Sequence, residues 1–292
     1  MKILLVSVGN FQEYIIDNIN NLLLFGNTDI TVITNTEFFI KFENIPVTLI
    51  DCETLSDNNF NNTCTLDRSF RDGFWYYCSL RFFYIYSYMK MYEITDCLHV
   101  ENDVITYMDF NTLHFKDNKV YVTFDNDHRV IPGIMYIPNH LAFEPIIVNY
   151  DGNKNDMDNL GKYDENVLLS LPIIPITDQE DIHRYNKLYN EFGVIFDACA
   201  MGQYLDGVDR RNNSGGDPAY FHGFINETCV IKYNLYKFVW IKINELYVPH
   251  LMIDEKKYRI CNLHIHSKNL KIFMSDIYPT ENNCITIYQP TE

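Results

Sequence analysis

What the chain lacks narrows its class first. Its eight cysteines stand singly, with no C-x-x-C pair and no zinc-type spacing. A cysteine-bound zinc is excluded, and reduced thiols in a cytoplasmic compartment are the simplest reading. Basic residues are scarce: 23 Lys and Arg against 39 Asp and Glu leave a formal net charge of −16. That excludes nonspecific binding to nucleic acid, which needs clustered Lys and Arg on phosphates. Glycine is missing where a phosphate loop would want it, because Val6-Ser7-Val8-Gly9-Asn10 holds only one. Dinucleotide or adenosylmethionine binding by a glycine-rich turn is therefore unsupported. Long apolar runs are absent too. Trp75 to Tyr92 comes nearest, yet Arg81, Lys90 and two serines interrupt it, so no membrane span is expected. Met1 to Val8 is too short for a signal peptide and reads as a first core strand.

At 292 residues the chain can bury a substantial core without disulfides. Ile3-Leu4-Leu5-Val6, continued by Val8, is the apolar pattern of a parallel strand covered on both faces. A helix is predicted next, capped by Asn10 with Glu13 three residues on, striped by Ile15, Ile19, Leu22 and Leu23, and closed by Gly26. Strands follow at Ile30 to Ile33 and Val47 to Ile50. The expected fold class is α/β, a doubly wound, mostly parallel central sheet with right-handed crossovers. Trp75, Cys78, Phe82, Ile85, Met89 and Tyr92 recur at helical spacing, predicting a long aromatic helix that leads into a strand at Leu98-His99-Val100. Asp151 to Asn166 reads as a loop, and Leu168 to Ile176, with Pro172 and Pro175, as an edge strand or extended connection. Arg210 to Gly216 reads as an exposed loop or lid. With no repeat and no clean linker, residues 1–110 and 111–292 are expected to be halves of one domain.

The chemistry gathers in three places. Glu101-Asn102-Asp103 ends the fourth predicted strand, where two carboxylates can hold a hard divalent cation and that cation can neutralise a diphosphate. Asp125-Asn126-Asp127 has the same spacing but lies between two strand-like runs, so it reads as a hairpin tip. Near the C-terminus, a strand through Asn262-Leu263-His264-Ile265-His266-Ser267-Lys268 would put Asn262, His264, His266 and Lys268 on one face. Imidazole can complete a metal shell begun by carboxylates, and the lysine can reach phosphates; an exposed face with two ordinary histidines is the plain alternative. Asp197, in Phe196-Asp197-Ala198, fits a helix cap or a general base on an acceptor hydroxyl, with Glu227 as the rival base. Arg81 fits either a carboxylate partner or a cation aimed at phosphate or sugar.

The strand-helix-strand opening, the aromatic helix with Arg81, the strand ending in Glu101-Asn102-Asp103 and the late His264-Ile265-His266-Ser267-Lys268 together resemble a GT-A fold glycosyltransferase. The resemblance implies transfer of a hexose or pentose from a nucleotide-diphosphate sugar, a UDP-sugar, to a glycan or glycoprotein acceptor. Manganese or magnesium would sit on the diphosphate. It implies that 1–110 is the donor half and 111–292 the acceptor half. Asp103 takes the direct metal position and Glu101 the ribose or water-mediated one, a departure from the usual Asp. Either His264 or His266 would join the metal, Lys268 would meet phosphate, and Val8, Gly9, Arg81 and Asn102 would belong to the donor site. A noncatalytic nucleotide-sugar-binding or scaffold protein of the same fold is the other expectation. A methyltransferase or sugar-phosphate nucleotidyltransferase would need the glycine-rich signature that is absent. The oligomeric state is left open.

Overall fold

Alternation within β1 (Lys2–Ser7) sets the architecture: Ile3 and Leu5 enter one core, Leu4 and Val6 another, and all four are buried. A strand covered on both faces belongs at the centre of a layered sheet. The computed structural model describes residues 1–55, 58–175, 180–209, 211, 222–279 and 285–288. There β1 is followed by α1 (Tyr14–Leu24), β2 (Ile30–Thr34), β3 (Thr48–Asp51), α2 (Asn58–Thr63), α3 (Phe74–Met91), β4 (Cys97–Val100) and β5 (Val104–Thr106). The hairpin of β6 (Val120–Asn126) and β7 (Arg129–Ile137) precedes α4 (His140–Val148), α5 (Asp156–Gly161) and β8 (Leu168–Ser170). Then come α6 (Tyr189–Phe192), α7 (Met201–Asp206), β9 (Lys237–Ile243), β10 (Leu246–Ile253), β11 (Lys256–Arg259), β12 (Asn262–His264) and β13 (Ile285–Tyr288).

Seven strands form the central sheet in the order β3-β2-β1-β4-β7-β6-β8. β3, β2, β1 and β4 run parallel, as do β6 and β8; the β4/β7 and β7/β6 pairs are antiparallel. Helix α1 packs Ile15, Ile19 and Leu22 with Ile3 and Leu5, while α3 packs Phe82, Ile85 and Met89 with Leu4 and Val6. The class is thus α/β, doubly wound and mostly parallel. The sheet draws β1 to β4 from one side of residue 110 and β6 to β8 from the other. A second sheet has the order β11-β10-β9-β13, and β12 pairs with β5. Among the described residues no helix is long and apolar enough to cross a membrane.

Three local expectations change. Helix α1 starts at Tyr14, with Glu13 before it and no side-chain cap. Asn10 does not cap it because the chain turns at Gly9, φ +79°, and lays Asn10, Phe11 and Gln12 along a cavity. The segment 151–166 is not a plain loop: Asn155 Oδ1 accepts the Asp158 N–H at 2.9 Å and starts α5. The late strand stops at His264, since Lys268 adopts φ +71° and its N–H closes a turn on the Ile265 carbonyl at 2.9 Å. Gly26, φ +81°, ends α1 as expected, and β8 is an edge strand ahead of Pro172. Of the expected lid, only Arg211 is among the described residues.

Candidate functional site

β4 runs parallel to β1, so their C-terminal ends open side by side, the edge where open α/β sheets bind ligands. The turn after β4 is pinned from three directions. The Glu101 N–H donates to the Gly133 carbonyl at 2.8 Å, and Asn18 of α1 donates to the carbonyls of Glu101 and Asn102 at 2.9 and 3.3 Å. Asn102 in turn donates to the Val6 carbonyl at 3.0 Å and to Gln12 Oε1 at 2.7 Å. With its backbone satisfied, the turn presents the Glu101 and Asp103 side chains to the cavity.

Strand pairing brings the late histidine to them. β12 is antiparallel to β5 with His264 opposite Val104, and the Ile265 N–H donates to the Asp103 carbonyl at 2.8 Å. Two glycines make room: a Cβ on Gly133 would stand 2.8 Å from His264 Nδ1, and one on Gly202 would stand 2.0 Å from the His264 carbonyl oxygen. Glu101, Asp103 and His264 each offer a ligand atom, all within 4.8 Å of one another. His264 Nε2 lies 3.3 Å from both Glu101 Oε2 and Asp103 Oδ2. Lys268 Nζ contacts Asp103 Oδ2. Arg81 Nη1 contacts Glu101 Oε1, and its Nη2 reaches Asp156 Oδ2 at 2.7 Å.

The charges explain the protonation states. Burial alone would raise the Asp103 carboxyl, but Lys268 and His264 outweigh it and hold it well below the usual carboxylate range. Burial likewise disfavours charged His264, yet Cys199 and Asp103 are set against it and the imidazole is held well above its ordinary value. Burial keeps the Cys199 thiol protonated, which leaves the Asp103 carboxylate as the charge that holds the imidazolium. Glu101, Asp103 and Asp156 meet Arg81, Lys268 and the protonated imidazole three against three, so the floor of the cavity becomes short of positive charge once His264 gives up its proton. A divalent ion held by two carboxylates and an imidazole would meet that demand, and the donor set fits manganese or magnesium.

The cavity measures about 480 Å³, within the range of small-molecule sites. Phe11, Tyr14, Phe74, Trp75 and Tyr77 give it an aromatic wall, and Glu101, Asn102, Asp103, Arg81, His264 and Lys268 form its polar side. Of the sequence expectations, Val8 lines it too, but Gly9 does not. Gly9 instead lets the Tyr77 ring pack against it, since a Cβ there would fall 2.3 Å from Tyr77 Cζ. Arg81 is a carboxylate partner, buried between Glu101 and Asp156. His266 lines the cavity but is not one of the three converging ligands. Its Nδ1 accepts the Asp209 N–H at 3.1 Å, and burial, with Lys268 and His264 nearby, pulls its pKa down to about 3.

Asp197 and Glu227 stand outside the cavity lining. Asp197 is 1% exposed, and its carboxylate accepts the N–H groups of Ala200, Met201, Gly202 and His264 at 2.8 to 2.9 Å. That is the capping role: it ties α7 to β12 and leaves the carboxylate fully engaged. The Glu227 side chain is 82% exposed and pairs with Lys232. Asp156 was not foreseen, although Asn155 with Asp158 three residues on is a helix-start signal. Arg71 and Asp209 carry no local signal at all.

No protein-family model and no curated protein sequence matches the chain. Solved structures similar to it include the galactosyltransferase LgtC with donor and acceptor sugar analogues. The identity is 13% and the TM-score 0.38, over 59% of this chain and 73% of that one. Mouse xyloside xylosyltransferase 1 is similar at 11% identity and TM-score 0.42, over 65% and 92% of the two chains. A protein described as a glucose-1-phosphate thymidylyltransferase of Bacillus anthracis is similar at 13% and 0.37, over 66% and 96%. Likeness at this level assigns neither activity nor ligand.

Proposed function

We propose that this protein is a metal-assisted glycosyltransferase of the GT-A type, moving a sugar from a UDP-sugar to a hydroxyl of a glycan or glycoprotein. The convergence of Glu101, Asp103 and His264 at the floor of one aromatic-walled cavity, with Lys268 beside them, carries this reading. Manganese or magnesium held by those three residues would supply charge neutralisation for the diphosphate leaving group. Lys268 adds a second cation to the same group, suited to negative charge that builds as the anomeric bond breaks. Arg81 acts one step back, fixing the Glu101 and Asp156 carboxylates. Phe11, Tyr14, Phe74 and Trp75 offer ring faces to a nucleobase. Residues 1–110 then contribute the base and diphosphate side, while 111–292 contribute His264, Lys268 and the acceptor side. Neither Asp197 nor Glu227 serves as base in this reading.

The test is calorimetric titration with UDP, once with manganese and once with EDTA, followed by assay for free sugar from a panel of UDP-sugars without acceptor. Manganese-dependent UDP binding and slow sugar release are expected. UDP binding indifferent to the metal, or no binding, sinks the metal-assisted reading. Metal-dependent binding with no sugar released from any donor makes the protein a noncatalytic nucleotide-sugar binder.

A further inference from the structure

Two side-chain amides meet where the metal turn joins the aromatic wall, and a chain of hydrogen bonds fixes which way each one points. The Val6 carbonyl can only accept, so Asn102 turns its Nδ2 toward it, at 3.0 Å. The same Nδ2 donates its other hydrogen to Gln12 at 2.7 Å, so Gln12 turns its Oε1 inward. Two groups are left over. Gln12 Nε2 has no hydrogen-bond partner among the described residues, and Gln12 is half-buried and lines the cavity. Asn102 Oδ1 is buried without a partner, in a residue that is 8% exposed and lines the same cavity. The pair thus offers one donor and one acceptor to what fills the space, and a buried amide oxygen left unmatched is costly. Their place in the fold narrows the ligand group. Asn102 stands between Glu101 and Asp103 of the metal group, while Gln12 follows Phe11 and precedes Tyr14 of the aromatic wall. In a nucleoside diphosphate, the group between a metal-bound diphosphate and a stacked base is the ribose. Its hydroxyls both donate and accept, so a vicinal diol can take the Gln12 N–H and supply a hydrogen to Asn102 Oδ1. Glu101, expected at the ribose, is engaged elsewhere: its Oε1 meets Arg81, and its Oε2 lies 3.3 Å from His264 Nε2.

We propose that Gln12 Nε2 and Asn102 Oδ1 read the ribose diol of the donor, and that Gln12 is the residue by which the site selects ribonucleotides over deoxyribonucleotides. That the diol belongs to a nucleotide rests on the function proposed above. The full chain is titrated calorimetrically with UDP and with 2′,3′-dideoxy-UDP, in manganese and again in EDTA, beside the variants Gln12→Met and Gln12→Glu. Methionine keeps the length of the side chain and has no N–H to give. Glutamate still accepts from Asn102 and can accept from a ribose hydroxyl instead of donating to it. The wild type is expected to bind UDP about tenfold tighter than the dideoxy analogue. Q12M should lose most of that ratio through weaker UDP, with the dideoxy affinity unchanged, and Q12E should recover part of it. The charge added in Q12E acts on both diphosphates alike, so the ratio is the readout. Equal affinities in the wild type, or a ratio intact in Q12M, overturn the reader. So does an equal loss of both ligands in Q12M, which would make Gln12 a support of the turn and nothing more. If the ratio is as expected but UDP binding is indifferent to manganese, the reader stands and the metal-assisted function falls. If neither diphosphate binds, the nucleotide reading falls and takes the reader with it.

Discussion

Two triplets of the form acid-Asn-acid follow strands of the same sheet and meet opposite fates. Glu101-Asn102-Asp103 leaves β4, which runs parallel to β1 and opens into the cavity, and its two carboxylates meet His264, Lys268 and Arg81. Asp125-Asn126-Asp127 spans the last two residues of β6 and the turn into β7, and its groups are taken up within the hairpin and by Thr228 and Tyr185 packed against it. Asp125 Oδ2 accepts from Arg129 Nε at 2.8 Å and from Thr228 Oγ1 at 3.3 Å. Asn126 Oδ1 accepts the His128 N–H at 2.9 Å, and Asp127 Oδ1 accepts the Tyr185 hydroxyl at 2.6 Å. The second triplet is the literal Asp-x-Asp. What makes a metal group is therefore not the spelling but the edge of the sheet at which the strand ends, together with a partner strand that delivers a nitrogen.

Paired substitutions test this contrast most directly. Asp103→Asn is expected to lower metal-dependent sugar transfer by at least about 100-fold, roughly 3 kcal/mol of transition-state stabilisation, measured as kcat/KM. Asp127→Asn should leave it within about twofold, since Asp127 lies outside the cavity lining and an amide oxygen can still accept the Tyr185 hydroxyl. The reverse ranking would move the metal to the hairpin. A binding measurement sharpens the same point: UDP with manganese at a hundred times its dissociation constant should stabilise the protein by about 2.7 kcal/mol in thermal unfolding. The manganese-dependent part of that shift should vanish in D103N and survive intact in D127N.

The portion of this site that was legible in advance is the portion written locally. Strand alternation in Ile3 to Val6 and helical spacing from Trp75 to Met89 place β1, α3 and β4 without reference to anything distant, and the acidic turn comes with β4. The His264 to Val104 register is different in kind. It is a pairing between segments about half the chain apart, and only the late His-x-His pattern hinted at it. Asp197 was legible as a cap and as a base alike, because a carboxylate ahead of a helix looks the same until its acceptor sites are counted; four N–H donors fill them. Helix α5 escaped because its six residues, Asp-Met-Asp-Asn-Leu-Gly, have no apolar period to read. The Arg71 to Asp209 contact joins two loops, and no periodicity governs which loops meet.

The hairpin triplet should answer to stability rather than chemistry. Asp125 is fully buried, and burial raises its carboxyl despite the Arg129 guanidinium beside it. Asp125→Asn keeps the shape but leaves Arg129 without its ion partner, so we expect a loss of about 2 kcal/mol in urea unfolding. Manganese-dependent UDP affinity per folded molecule should not change. A fall in that affinity would mean that the two triplets are coupled through the β6/β7 hairpin.

The finest division between the two regions comes from two glycines. Gly133 lies under the metal group: an added methyl would sit 2.8 Å from His264 Nδ1 and 3.2 Å from Val104 Cγ2. The His264 backbone cannot retreat, because its N–H is bound to Asp197 Oδ2 at 2.8 Å and Gly202 closes on its carbonyl from behind. Gly133→Ala should therefore tilt the imidazole off its two carboxylates and weaken manganese about tenfold, close to 1.4 kcal/mol, read by calorimetry with the metal alone. Gly161 lies under the hairpin tip instead, where a Cβ would stand 2.1 Å from the His128 carbonyl oxygen. Gly161→Ala should lower the unfolding midpoint and leave manganese affinity unchanged. If both alanines moved metal affinity equally, the hairpin would belong to the site, and the separation between the two triplets would fail at its most local point.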